Sequence, residues 1–189
     1  MEDEILDFWF GAPGTPTFGT VRTVWFRKDA AFDVTIGERF GAVVGLALEG
    51  RLAGDAATPR GALSRVLLLD QFTRNIYRDT AMAFAGDAAA LAIAEAIVAG
   101  GDDRTLNAVE RWFLYMPFEH AESLAAQTRS IELFTRLSEE TGLADPLLWA
   151  EKHARVVRQF GRYPHRNEIL GRASTAAEIA FLAQPGNRF

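Results

Sequence analysis

The chain has 189 residues, 49% of them hydrophobic and 24% charged, with 16 Gly, 7 Pro, no Cys and a formal net charge of −5. This is the composition of a globular protein, too apolar for disorder, and the length predicts one domain over 1–189. The lack of Cys excludes a disulfide framework, a thiolate metal site and a cysteine nucleophile.

The acidic balance argues against nucleic acid as a partner. Residues 151–189 nevertheless hold seven basic and three acidic residues, against thirteen and twenty-two in the first 150. The two parts are expected to attract each other within one fold. The N-terminus, Met1-Glu2-Asp3-Glu4, lacks the basic start and apolar core of a signal peptide. Uninterrupted apolar runs such as Val66–Leu69 are far shorter than the ~20 residues that span a bilayer. The reading is a soluble, cytoplasmic protein with no membrane partner.

Helical periodicity dominates the chain. Ile5, Phe8 and Trp9 mark a short first helix, and the loop Gly11-Ala12-Pro13-Gly14-Thr15-Pro16 follows it. Asp29 caps a long helix whose stripe is Phe32, Ile36, Phe40, Val43 and Ala47. After a connector from Gly50 to Ala57, Thr58-Pro59 reads as a cap followed by proline at the first helical position. That helix carries Val66 to Phe72, apolar nearly all round, and is expected to be central. Asp87 is read as the cap of an Ala-rich helix over 88–99, ended by Gly100-Gly101. A helix near 105–115 is expected to stop before Pro117, and a long one to run from about 118 to 140. Pro146 opens another, reaching Phe160, with the apolar stripe Trp149, His153, Val156, Val157 and Phe160, and Thr175 to Glu178 is a capping box for the last. No segment alternates as a strand does. The reading is all-α, with eight or nine helices; Trp-Phe pairs recur at 9–10, 25–26 and 112–113 without matching neighbours, so no repeat is assigned.

Three polar clusters stand out. In the first, Asp70 shares a helical stripe with Val66 and Leu69, so its carboxylate faces packed surface and needs a partner, which Arg74 at i+4 can supply. Gln71, Arg74, Asn75 and Arg78 then line a pocket wall, or form an ion-pair network that only fixes packing. The second is Glu119-His120 after Pro117, with Leu124, Gln127, Ile131 and Phe134 on the same stripe as His120: a core histidine or an acid–base group. The third runs from His153 through Arg162, His165, Arg166 and Asn167 to Arg172 around Pro164. Arg forks, an imidazole and an amide suit a carboxylate or phosphate, and the same arginines can pair with Asp70, Glu119 and Glu122. His165 and Glu168 have a metal-compatible spacing, but no helix carries Glu-x-x-His, so no metal or other cofactor is assigned. No phosphate loop, nucleophile elbow or His-Glu-x-x-His motif occurs.

These residues also carry a likeness. The ordered set Ile5-x-Asp7-Phe8-Trp9-Phe10, Trp25-Phe26-x-Lys28-Asp29, Leu68-Leu69-Asp70-Gln71-Phe72-x-Arg74-Asn75, Phe113 to Pro117-x-Glu119-His120-x-Glu122, and Phe160-Gly161-Arg162-x-Pro164-His165-Arg166-Asn167-x-Ile169-Leu170-Gly171-Arg172 resembles an uncharacterised, largely bacterial family, domain of unknown function 924. The likeness covers essentially the whole chain; Thr73 departs from it, where the pattern has proline. It implies a fold similar to tetratricopeptide-repeat proteins, with helical hairpins stacked in a short superhelix, and no established activity.

The preferred reading is a domain that holds an anionic small molecule or a peptide carboxylate. Gln71, Arg74, Asn75, Arg78, Arg162, His165, Arg166, Asn167 and Arg172 would bind it. The alternative is a hydrolase or transferase in the same pocket, with Asp70, Glu119, His120 or His165 as general base. A third is a scaffold whose polar clusters are structural. The Trp and Phe content is compatible with a homodimer face, which no residue marks.

Overall fold

The computed structural model describes residues 1–54 and 56–187. Asp55, in the expected connector, and Arg188, one of the C-terminal basic residues, lie outside the described residues. Helix α1 (Glu2–Phe10) leads through an irregular segment and a 3-10 turn (Thr23–Phe26) to α2 (Ala30–Leu48). The Asp29 carboxylate caps α2, accepting from the Ala31 and Phe32 amides at 3.0 Å. Thr58 caps α3 (Pro59–Val66) as expected. The chain then continues through a π-helical stretch, Leu67–Phe72, into α4 (Thr73–Ile76), making one unbroken rod. The rod packs against α1, α2, α5 and α6, and Val66, Leu67, Leu68 and Phe72 are fully buried. The expected central helix is therefore there, but its middle is wound wider than an α-helix.

A 3-10 turn (Ala81–Phe84) precedes α5 (Asp87–Gly100), and another (Asp102–Thr105) precedes α6 (Ala108–His120). Helices α7 (Leu124–Thr141) and α8 (Asp145–Phe160), a 3-10 turn (Pro164–Arg166) and α9 (Ala176–Leu182) complete the stack. The protein is all-α among the described residues. Short reversals join α6, α7 and α8, which pack on one another in succession. Gly142 and Gly161 end α7 and α8 in the left-handed conformation, and Asn107 and Thr175 make capping boxes.

Three local expectations fail for physical reasons. Pro117 does not stop a helix: it lies in the last turn of α6, which runs on to His120. Proline there removes a single N–H from the ladder, and the Phe113 and Phe118 side chains on either side are buried. The end of α6 is then held from outside. The Gln127 amide of α7 donates to the Glu119 and Ala121 carbonyls at 2.7 and 2.8 Å. Glu119 and His120 therefore belong to the end of α6, not to the start of α7, and Leu124 of the expected stripe is exposed. Second, Asp87 caps nothing. Gly86 occupies the cap position, and the Asp87 carboxylate turns to two arginines described below. Third, Trp149 leaves the inner stripe of α8 and lies in solvent under the Lys152 ammonium, 4.6 Å from the ring.

The contact between the rod and α5 is very close. A Cβ on Gly86 would lie 2.3 Å from the Leu69 carbonyl oxygen, inside the π-helical stretch. That carbonyl also accepts from the Thr73 hydroxyl at 2.8 Å. Gly86→Ala is therefore expected to destabilise the fold by about 1–3 kcal/mol through overpacking. Gly37→Ala, where a Cβ meets nothing on α2, should stabilise by about 0.5–1 kcal/mol through helix propensity. Thermal unfolding of both variants checks the pair; equal melting temperatures would show that the Gly86 contact is slack.

Candidate functional site

The π-helical stretch carries Asp70 and Gln71, both buried. Asp70 has no exposed surface, so its charge must be answered from within. Three side chains do so. Gln71 Nε2 donates to Oδ2 at 2.6 Å. Arg74, on α4, approaches Oδ1 at 3.2 Å. His120, at the end of α6, places Nδ1 2.7 Å from the same oxygen. Burial pushes the Asp70 carboxyl up, but the Arg74 charge and the His120 and Gln71 contacts outweigh it and hold it well below the usual range. Asp70 is ionised, can only accept, and fixes the neutral His120 tautomer with its proton on Nδ1.

The Arg74 guanidinium reaches further, donating to both Asp87 oxygens at 2.9 and 3.1 Å. Asp87 also accepts from Arg166 Nη1 at 3.2 Å. Arg166 is flat between two rings, 4.5 Å from the centroid of Phe84 and 4.6 Å from that of Tyr163. The result is an alternating row, Asp70–Arg74–Asp87–Arg166, drawn from three segments of the chain: the rod, the start of α5 and the Pro164–Arg166 turn. Its charges balance.

Two neighbouring cavities open on this row and share Phe84, His120 and Arg166. The larger, 490 Å³, is otherwise walled mainly by Ala81, Ala85, Ala88, Leu91 and Leu170, with Asp87 and Glu122. The smaller, 290 Å³, adds Arg74, Arg78, Asp79, His153 and His165. All three histidines of the chain thus meet one cavity. His120 uses Nδ1 for Asp70, which leaves the Nε2 edge of its ring to the cavities. Burial lowers its pKa from the ordinary value against the pull of Asp70, so it is neutral at pH 7.

Glu119 sits behind His153. Its Oε1 lies 3.1 Å from His153 Nδ1, and that nitrogen also donates to the Trp149 carbonyl at 2.9 Å. Among the described residues no arginine or lysine is paired with Glu119. Burial, with the Asp70 charge, pushes its carboxyl up to about 8, so it is protonated at neutral pH. Burial with the nearby His120 takes His153 down to about 3, and it stays neutral. The Tyr163 hydroxyl donates to the Glu119 carbonyl, pinning the third polar cluster to the end of α6.

The sequence-derived candidates divide by position. Arg74, Arg78, His120, His165 and Arg166 line cavity wall. Asp70, Gln71 and Glu119 lie directly behind it. Asn75 and Arg78 both bind Asp33 of α2, at 2.7 and 2.8 Å, and tie α4 to that helix. Arg162 grips Glu178 of α9 at 2.7 and 2.9 Å. Arg172 grips Glu122 at 2.6 and 2.9 Å and also reaches Asn167 at 3.0 Å. Asn167 is fully buried and donates to Ser174. Arg162, Asn167, Arg172 and Asn75 are structural ties in this geometry. Asp87 and Phe84 were missed: Asp87 mimics a helix cap, and Phe84 has no local signal. Among the described residues no group of three or more His, Asp or Glu side chains is placed to hold a metal ion.

The buried Glu119 gives a pH dependence of stability. Its folded pKa is raised above the unfolded value near 4.5. The folded state therefore keeps a proton that the unfolded chain releases, and stability falls as pH rises from about 4.5 to about 8, by at most ~1.4 kcal/mol per unit. Glu119→Gln should match the parent near pH 5 and exceed it by a few kcal/mol near pH 8. Denaturant unfolding at the two pH values reads this; a difference that does not change with pH would mean that Glu119 is ionised in the fold.

Comparison with known proteins agrees with the motif set. The family model described as "Bacterial protein of unknown function (DUF924)" matches residues 5–186. A solved structure, the protein of unknown function ATU0120 from Agrobacterium tumefaciens, is similar at 39% identity over 96% of each chain, with a TM-score of 0.83. No curated protein matches the chain. With the match running nearly end to end and the Asp70, His120 and Arg166 motifs inside it, the chain belongs to this family of bacterial proteins of unknown function.

Proposed function

We propose that the paired cavities form the active site of a hydrolase or transferase, with His120 as general base and Arg166 and Arg74 as the groups that hold the substrate's anion. The observation that carries this reading is the Asp70–His120 contact, 2.7 Å at Nδ1, with the ring lining both cavities beside the two arginines. A carboxylate behind one imidazole nitrogen sets the tautomer and stabilises the imidazolium that forms when the other nitrogen takes a proton. None of the cavity-lining side chains carries a hydroxyl or thiol. His120 would accordingly find no serine, threonine, tyrosine or cysteine among these residues to activate, and would act on water or on a substrate hydroxyl directly. Arg166, planar and nine-tenths buried, suits a carboxylate, a phosphate or an oxyanion developing in the transition state.

The simpler anion-binding reading is contained in this one, since binding precedes chemistry. The scaffold reading is supported by the pairing of Arg78, Arg162 and Arg172 with carboxylates elsewhere. It gives no reason for a histidine and two arginines to share cavity wall. The likeness to tetratricopeptide-repeat stacks rests on the successive packing of α6, α7 and α8.

The test is a panel of carboxylate esters and phosphate esters, read by product release. We expect turnover of at least one, reduced about 10²–10⁴-fold in His120→Gln. The rate should rise with pH through a His120 pKa below 6.5 and then level, because only the neutral imidazole accepts a proton. Proton NMR of the imidazole checks that pKa without a substrate. Turnover untouched by His120→Gln would overturn the assignment, as would a blank panel together with no thermal shift in acetate or phosphate.

A further inference from the structure

The larger cavity does not end at Leu91. On the far side of that residue a second recess of 300 Å³ continues along the same two walls. One wall is α5 and the turn before it, which supply Ala88 and Ala85 to the first section and Val98 and Ala99 of α5 to the second. The other is the end of α6, the reversal after it and the first turn of α7, supplying Ala121 to the first and Phe118, Ala125 and Ala126 to the second. Leu91 belongs to both. The recesses are thus consecutive parts of one groove, with His120 and Arg166 at its head. From Asp87 to Val98 the α5 axis advances about 17 Å at 1.5 Å per residue.

Two further observations bear on what fills it. Arg166 is 8% exposed, its Nε is buried without a hydrogen-bond partner, and its guanidinium borders the head of the groove. Within Ala81–Gly100 an 18-residue window has a mean hydropathy of 1.7, yet only 33% of that window is buried. Its inner face, Ala90, Ala94 and Ile97, packs into the core. The groove side stays open. By length and composition alone the stretch could cross a membrane, although Asp87 within it is ion-paired and the helix packs on α3 and α6. A polar head with an open apolar trough is the shape of a site for an amphiphile.

We infer that the groove takes a small amphiphilic anion: a carboxylate or phosphate head against Arg166 and His120, and an unbranched apolar chain laid along α5 past Leu91. The inference rests on the active-site reading above for its head group and adds the class of substrate. Glu95 and Arg129 at the far section are exposed, so their charged ends remain in water while their stems border the chain.

Calorimetric titration of the full chain with n-butanoate, n-octanoate and n-dodecanoate, below their micellar concentrations, tests it. Affinity should rise about two- to fourfold per methylene laid in the groove. Monododecyl phosphate against dodecanoate distinguishes the two head groups. Ala125→Trp, on the exposed surface of the far section, should cost dodecanoate at least tenfold and leave butanoate unchanged. Arg166→Gln should weaken every member, with its melting temperature measured to confirm folding. Arg166-dependent binding of butanoate with no gain from a longer chain would overturn the groove and leave the anion site standing. Dodecanol binding as tightly as dodecanoate, or no binding by any anion, would overturn the anionic head and the active-site reading with it.

Discussion

Everything around the cavity follows from one buried charge. A carboxylate removed from water costs several kcal/mol unless it is paired and hydrogen-bonded. Asp70 is wholly buried in the rod through the middle of the stack. The wider π-helical winding sets Asp70 beside Gln71 and within reach of Arg74, and such segments recur at functional sites. Arg74 then needs more than one acceptor, and Asp87 supplies it. Asp87 in turn draws Arg166 from a segment 79 residues away. Each link answers the charge of the one before, so segments far apart in the chain are held together at this point. Gly86 matters for the same reason: only a residue without Cβ lets Asp87 stand this close to the rod.

The two buried carboxyl groups, Asp70 and Glu119, show how environment divides one chemistry into two states. Both stand behind a histidine. Asp70 has a guanidinium and an amide, and is ionised. Glu119 has neither, feels the charge of Asp70, and keeps its proton. The histidines follow. His120 has an anion to stabilise its protonated form, whereas His153, with a neutral carboxyl and a carbonyl at Nδ1, resists protonation. Environments that push paired groups apart in this way separate the base from its bystander. In the proposed active site it is this contrast, rather than the mere presence of histidines, that selects His120 as the base.

Much of the architecture was legible in the residues. The caps at Asp29, Thr58 and Thr175, the stop at Gly101 and the apolar run at Val66–Phe72 are local signals with local consequences. The need of Asp70 for a partner and the convergence of three clusters also followed from sequence, because burial and i+4 spacing can be read along a helix. What was not legible depends on contacts across the fold. Pro117 looks like a terminator until Gln127 is seen holding the end of α6. Asp87 looks like a cap until two arginines from elsewhere arrive. The charge imbalance was read correctly as internal attraction, in Arg172–Glu122 and Arg166–Asp87, but nothing local told which arginine would face a cavity.

That last distinction bears most on function. Arg162, Arg172 and Arg78 are each satisfied by a carboxylate taken through two nitrogens, at 2.6 to 2.9 Å. These are the contacts expected of groups whose task is packing. Arg166 is more deeply buried than any of them. Yet it has a single contact at 3.2 Å with a carboxylate that Arg74 already holds twice, and an unpartnered Nε. Stacking on Phe84 and Tyr163 offsets part of the cost of its burial and also fixes the plane of the guanidinium. A fold selecting for stability alone would bury a hydrophobic side chain there at less cost. On the active-site reading proposed above, an arginine this dry and only partly paired, beside a histidine whose tautomer is set, is the group that receives the substrate's anion. The stability that its incomplete pairing forgoes is the free energy that an arriving anion can recover.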